Sequence, residues 1–212
     1  MELNEPPIRK EHPPPLINLK KNGFLFLRLS FKILLLVVIT LLSIHLPDFT
    51  PQNQNREETI IHEIFGVLER HSKDLGDGAK RELAKVIYEE SIRYNHDPKI
   101  ILALIAIESS FQNWSVSQQG AKGLMQLMPY VAESVAQDLG IEWEGDPTLF
   151  DPFLNIRMGV HYLSQLIFDF DDLGIALTAY NYGPTYVKSL IERKKRIPIQ
   201  YYHRVLTAYQ NL

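Results

Sequence analysis

Asp97-Pro98-Lys99-Ile100-Ile101-Leu102-Ala103-Leu104-Ile105-Ala106-Ile107-Glu108-Ser109-Ser110-Phe111 is the stretch on which the fold turns. Asp97 is suited to accept from the free amides of a helix start. Pro98 suits the first helical position, where its missing N–H has no intrahelical partner to lose. From Ile100 to Ile107 there is no charge, and apolar residues occupy every side. A helix of this kind is expected to be buried all round rather than amphipathic. Leu104 and Ile105, four and three residues before Glu108, share its face. A carboxyl in such company is poorly solvated, which favours its protonated form. A carboxylic acid kept protonated near neutral pH is what the protonation of a leaving oxygen requires. Glu108 equally fits a plainer role, the point where a buried helix surfaces into water, and periodicity alone does not choose between the two.

Outward from this helix the pattern is helical throughout. Ile60, Ile61, Ile64, Val67 and Leu68 recur at spacings of three and four and predict an amphipathic helix over 56–75. Gly76-Asp77-Gly78 reads as the break after it. A second helix is expected over 79–94, with Leu83, Val86, Ile87 and Tyr88 facing inward. Further helices are expected over 129–139, 154–168, 172–180, 185–192 and 201–209. No stretch alternates for long enough to propose a sheet, so the fold class is all-α.

The chain has 212 residues, enough for one domain and a short extension. Its net charge of −3 hides an asymmetry. Residues 1–32 carry six basic side chains (Arg9, Lys10, Lys20, Lys21, Arg28, Lys32) and three acidic ones, leaving 16 basic and 22 acidic residues in the remainder. A mildly acidic main domain argues against nucleic acid as a partner. Without cysteine, neither a disulfide nor a lipidated cysteine is available. Residues 1–23 are rich in proline and charge and read as a flexible basic tail. The apolar segment 24–46 follows, its clean part running from Ile33 to Leu46. It fits a transmembrane signal anchor, a cleaved signal peptide or a buried core helix. Ser43-Ile44-His45-Leu46-Pro47 lacks a small-x-small cleavage pattern. All the basic residues near the clean run Ile33 to Leu46 precede it, and none lies between Leu46 and Arg56. That bias places the N-terminus in the cytoplasm and the rest outside. Residues 47–55 read as a polar linker.

Four spaced signatures then carry a resemblance: Glu108-Ser109, Gly123-Leu124-Met125-Gln126, Asp151-Pro152-Phe153-Leu154-Asn155-Ile156 and Ala179-Tyr180-Asn181-Tyr182-Gly183. In this order they resemble the family 1 lytic transglycosylases, whose soluble-lytic-transglycosylase-like domain cleaves bacterial peptidoglycan. The resemblance covers roughly residues 80–212. It implies a lysozyme-like α domain with a glycan-binding cleft and divides the chain into a cytoplasmic tail (1–23), a membrane or signal segment (24–46), a linker with an amphipathic helix (47–78) and a catalytic domain (79–212). It also implies one glutamate acting first as acid and then as base, with no metal and no organic cofactor. The substrate's own N-acetyl group and C6 hydroxyl do the rest, so that the product ends in 1,6-anhydro-N-acetylmuramic acid.

Carried over residue by residue, Glu108 is the acid-base group. Ser117 helps to position the N-acetyl group or the glutamate, although a loop serine satisfying nearby backbone fits as well. Gln126 supplies an amide for sugar groups, and Met128 is a cleft contact by the resemblance, although methionine fits a core filler as well. Gly120 and Gly123 allow the backbone to approach the glutamate and the sugar closely. The Tyr180 hydroxyl reaches Glu108 and tunes it, or else packs in the core with its hydroxyl merely satisfied. Asn181 binds an N-acetyl carbonyl or backbone. Tyr201 matches the tyrosine of the closing segment, where Ile199-Gln200 replace the usual lead. Tyr182 stands where the family often has alanine. Asp138, Asp146 and Asp151 are the nearest downstream aspartates, and the last two, each followed by proline, read as turn or helix caps.

The expected partners are peptidoglycan strands, the membrane through the N-terminal segment, and an envelope protein assembly. The expected site of action is the periplasmic face of the inner membrane. Two rivals stand beside this expectation. One is a goose-type-lysozyme-like hydrolase, which needs a second carboxylate to activate water. The other is a non-catalytic glycan-binding component of an envelope machine.

Overall fold

The computed structural model describes residues 31–38, 40 and 51–212. The tail 1–23 lies outside the described residues, as do 24–30, 39 and 41–46 of the apolar segment. Residues 31–38 are helical, and their side chains, Phe31 and Ile33 to Val38 among them, are exposed. Among the described residues no helix is long and apolar enough to cross a membrane.

Within 51–212 the helices are α1 (Pro51–His71), α2 (Asp77–Arg93), α3 (Pro98–Ser109), α4 (Pro129–Leu139), α5 (Asp146–Phe150), α6 (Pro152–Phe170), α7 (Leu173–Tyr182), α8 (Pro184–Glu192) and α9 (Gln200–Asn211). Among the described residues there is no strand. Two isolated bridge pairs, Val116 with Lys122 and Lys122 with Leu127, tie up the loop between α3 and α4.

Several boundaries differ from expectation for identifiable reasons. Residues 51–55 are helical rather than linker, because Pro51 opens α1 and the polar Gln and Asn residues behind it form its first turn. The break after α1 falls at 72–76. Gly76 is the N-cap of α2, and Asp77 and Gly78 lie inside its first turn, where an acidic side chain complements the helix dipole. Asp151 caps α6, accepting from Phe153 and Leu154 N–H at 2.9 Å each, and so starts that helix two residues early. Helix α5 spans five residues, too few for any periodic signal.

Helix α3 is the centre of the packing. Ile101 to Ile105 are buried, while Ala106, Ile107 and Glu108 are half-buried. The largest core joins Leu68 of α1, Leu83 and Ile87 of α2, Leu104 and Ile105 of α3, Ile156 of α6, Leu177 of α7 and Val205 of α9. Each such side chain contributes about 1.5–3 kcal/mol by leaving water. A second core lies under α4 and α5 (Leu127, Val135, Leu149, Met158), and a third under α7 and α8 (Leu166, Ala179, Val187). Tyr180 packs against all three.

Candidate active site

Helices α3 and α9 lie side by side in opposite directions, joined at both ends by a carboxylate and a tyrosine. At the start of α3, Asp97 caps the helix through Lys99 N–H at 2.8 Å. Its other oxygen accepts from the Tyr209 hydroxyl at 2.7 Å. At the far end, the Tyr201 hydroxyl donates to Glu108 Oε1. Tyr201 is only 2% exposed, so this second bond is made inside the protein. Burial pushes the Glu108 carboxyl above the ordinary glutamate range. The Tyr201 hydrogen bond and the Arg204 guanidinium oppose that shift without cancelling it. The Tyr201 hydroxyl is itself pushed well up by burial and by the charge of Glu108. Among the described residues no second carboxylate figures among the groups acting on Glu108.

Directly after Glu108 the chain turns sharply. Ser110 and Phe111 both adopt left-handed backbone, with φ of 51° and 62°. Two consecutive non-glycine residues in this region are costly, and such strain gathers at functional sites. Phe111 is buried and stacked on His71 at 5.3 Å, which holds the turn.

The hydroxyl that reaches Glu108 therefore belongs to Tyr201. Tyr180 donates instead to the Met125 carbonyl at 2.8 Å, because α7 delivers its ring to the junction of the three cores beneath the Gly123–Gln126 loop. It is still near enough to Glu108 for that charge to raise its own proton affinity. The loop is a self-bonded unit. Ser117 Oγ accepts from Ala121 N–H at 3.0 Å, a bond that uses a lone pair of the hydroxyl and leaves its proton free of that contact. The Gln126 amide nitrogen donates to the carbonyls of Ser115 and Gly123 at 3.0 Å each. Its donors are thus committed to bracing the loop, and its carbonyl oxygen is the group left for a ligand. Met128 is half-buried at the N-cap of α4, its backbone carbonyl taken by Val131 and Ala132. Asn181 is exposed near the end of α7. Among the described residues, none of Ser117, Gln126 and Asn181 bonds to Glu108.

Gly123 has φ +81°, and a Cβ placed there would lie 2.2 Å from Asn155 Nδ2 and 2.5 Å from the Leu149 carbonyl. Its close approach is to Asn155 and Leu149 rather than to the glutamate. Asn155, fully buried, accepts from Met125 N–H at 2.8 Å and donates to the carbonyls of Leu149 at 2.9 Å and Lys122 at 3.2 Å. It is the positioning residue of the loop. Its place in the Asp-Pro-x-x-Asn-Ile signature was the signal that marked it. The three downstream aspartates are engaged elsewhere: Asp151 caps α6, and Asp138 accepts from Gln165 at 3.0 Å. Asp146 is no side-chain cap. It sits in the first turn of α5 and pairs with Lys122 at 2.5 Å.

A family model described as the transglycosylase SLT domain matches residues 85–203, more than half of the chain. The chain belongs to that family. The membrane-bound lytic murein transglycosylase C of Photorhabdus laumondii subsp. laumondii is 34% identical over 127 residues, which cover 58% of this chain and 35% of that protein. The transglycosylase of Enterobacteria phage PRD1 is 36% identical over 93 residues, covering 44% and 32%. Of solved structures, an inactive mutant of the lytic transglycosylase Slt from Pseudomonas aeruginosa overlaps with a TM-score of 0.48 at 28% identity, over 59% of this chain and 21% of that one. The chain thus spans about a third of the length of the curated relatives it matches. The matched span of the SLT family runs from α2 into α9 and contains Glu108, the bonded loop, Tyr180 and Tyr201.

Proposed function

We propose that this protein is a lytic transglycosylase that cuts the β-1,4 bond between N-acetylmuramic acid and N-acetylglucosamine in peptidoglycan, with Glu108 as acid and then base. The observation that carries the proposal is the state of Glu108: its carboxyl is shifted upward by burial and bonded by the buried Tyr201 hydroxyl. A protonated Glu108 gives its proton to the departing glycosidic oxygen as the C1–O bond breaks. The substrate's N-acetyl oxygen stabilises C1. Glu108, now a carboxylate favoured by Tyr201 and Arg204, takes the proton of the C6 hydroxyl, and that oxygen closes onto C1. No water is consumed, and the enzyme ends as it began. A hydrolase of the two-carboxylate kind needs a second acid across the bond to activate water, and Asp138, Asp146 and Asp151 are each bonded elsewhere.

The apolar segment 24–46 is proposed as a membrane anchor that leaves the rest of the chain on the outer face of the cytoplasmic membrane. Its support is the basic residues that precede it, the exposed apolar side chains of the helical residues 31–38, and the membrane-bound relatives. Recovery of the chain in the carbonate-washed membrane fraction is the expected result; a wholly soluble chain removes the anchor.

Mass spectrometry of the soluble products from purified peptidoglycan, treated with the full chain or its Glu108→Gln variant, tests the chemistry. Anhydro-muropeptides from the parent alone are expected. Reducing muropeptides would replace the proposal with a hydrolase.

A further inference from the structure

The longest run of charge in the chain has no part in the site described above. It is Glu192-Arg193-Lys194-Lys195-Arg196, between α8 and α9, and all five side chains are exposed. Among the described residues none of the four cations is held in an ion pair, whereas Lys188 of α8 is paired with Asp169 at 2.8 Å. Helix α8 closes through Lys194 N–H on the Ile191 carbonyl at 3.0 Å and Lys195 N–H on the Leu190 carbonyl at 2.8 Å. That closure puts Lys194 in left-handed backbone, φ 50°, at a position where glycine is the usual residue. A cation stands there against the local preference of the backbone. The end of a helix favours a positive charge, but the attraction fades within the last turn and does not account for four in succession.

The turn is held firmly beneath its charges. Thr178 Oγ1 donates to the Pro198 carbonyl at 3.2 Å, Val187 is fully buried, and Tyr201, five residues after Arg196, is bonded to Glu108. The four cations therefore stand at the Glu108 end of the α3–α9 pair. Arg70 and Lys73 come to that end from α1, lining a pocket with Ser110 and Gln112. Nearer the start of α1, Ile60 and Glu63 line a pocket with Asp97, Lys99 and Leu212. Helix α1 thus runs alongside α3 toward the Glu108 end, and its 21 residues span about 30 Å. The basic turn lies at the end of the domain away from where the chain enters it, a placement that favours a partner other than a membrane surface.

We infer that this turn is a second contact with the cell wall, outside the cleft, and that it takes the carboxylates of the peptides borne by the glycan strands; the inference rests on the function proposed above. The sugars give cations little to pair with. Their hydroxyls and N-acetyl groups are neutral, and the lactyl carboxyl is consumed in the amide that carries the peptide. The peptide carboxylates repeat along the mesh. Exposed ion pairs are weak singly, but several made at once to one polyanion add up, and salt weakens them. Outside residues 1–32 the chain has 16 basic and 22 acidic side chains. A polyanion is repelled by such a surface as a whole and attracted at the turn, which orients the Glu108 end toward the wall.

The test measures pelleting of the full chain carrying Glu108→Gln, in neutral detergent, with purified peptidoglycan sacculi. Adding Lys194→Gly, Lys195→Gln and Arg196→Gln is expected to weaken the apparent Kd about tenfold at low salt and to flatten its salt dependence. Glycine at 194 suits the left-handed backbone, so the turn is kept. Sacculi whose carboxyls are amidated with ethanolamine are expected to bind both forms equally weakly. With Glu108 restored, the triple variant is expected to cut peptide-free glycan strands within about twofold of the parent rate, which shows an intact cleft. Equal pelleting of both forms on untreated sacculi, or parent binding that survives amidation, overturns the inference. So does displacement of the sacculi by soluble short-chain phosphatidylglycerol through the same three residues, which would assign the turn to lipid. Pelleting that follows the charges, in a protein whose Glu108 form cuts no glycan, would leave the turn's role standing and remove the transglycosylase proposal.

Discussion

The two ends of the α3–α9 pair are built from the same parts and differ in solvent. At one end Asp97 meets the Tyr209 hydroxyl, with Lys99 over the tyrosine ring at 5.0 Å. At the other Glu108 meets the Tyr201 hydroxyl, with Arg204 at 6.0 Å from its ring. Asp97 is exposed and also caps its helix, so the first pair is a clamp in water. Tyr201 is buried, and Glu108 carries the upward shift that burial imposes. A carboxylate and a phenol become a proton-transfer device only where the medium makes ionisation costly. Burial is necessary and not sufficient. Glu90, 3% exposed, is also pushed upward by burial, but Arg93 at 3.1 Å and Arg157 at 3.5 Å hold its oxygen in ion pairs. Glu108 has a hydroxyl in place of an ion pair.

Swapping carboxylates at the two ends has the largest expected effect. Glu108→Gln is expected to lower the rate of glycan cleavage by about 10²–10⁴-fold with the fold retained. Asp97→Ala is expected to cost about 1 kcal/mol of stability through the lost cap and to leave the rate within a few-fold. Strand-cleavage rates and urea unfolding of both variants check this. A comparable rate loss in both would show that the far clamp, rather than the buried acid, governs the chemistry.

Removing the two hydroxyls comes next. Tyr201→Phe deletes a bond that favours the ionised form of Glu108, so the carboxyl rises further and the alkaline limb of the kcat/KM profile moves to higher pH. The lost positioning is expected to lower the rate at the optimum about tenfold. Tyr209→Phe, at the exposed end, is expected to leave the limb where it is. Movement of the limb to lower pH in Tyr201→Phe would reverse the role given to that hydrogen bond.

The difference between the two ends was only partly legible in the sequence. Asp97-Pro98 announced a cap, and the charge-free run announced a buried helix, because both are local effects. The four signatures located the loop and the glutamate. For Tyr180 the sequence leaves two readings open, a hydroxyl on Glu108 or a core ring with its hydroxyl satisfied; the second is the one observed, and only the docking of α9 on α3 brings Tyr201 to the glutamate. Gln126 reads as a ligand group because its polar capacity is visible in sequence while its use by the carbonyls of its own loop is not; for Ser117 the alternative of a loop serine bonded to nearby backbone is the contact observed. Asn155 read as one letter of a signature, yet its three bonds build the loop. Glu90 falls in register with Leu83 and Ile87 on the buried face of α2 while Glu89 does not, but its pairing with Arg157 depends on the docking of α6 and is not legible in sequence.

The smallest expected effect is on stability, and its sign follows from the direction of the Glu108 shift. The folded carboxyl binds its proton more tightly than the unfolded one, whose ordinary value is 4.5. Below that value both states are protonated and Glu108 imposes no penalty on folding. As pH rises from 4.5 through the raised folded value, the unfolded state gains from ionisation before the folded state does, and stability declines. Glutamine at 108 cannot ionise and escapes this decline. The Tm of Glu108→Gln minus that of the parent is therefore expected to be more positive at pH 7 than at pH 4, by on the order of a few degrees. A difference that shrinks with rising pH would mean that Tyr201 and Arg204 outweigh burial. Glu108 would then resemble the ionised clamp at the other end of α3, and its fitness as a proton donor near neutral pH would go with it.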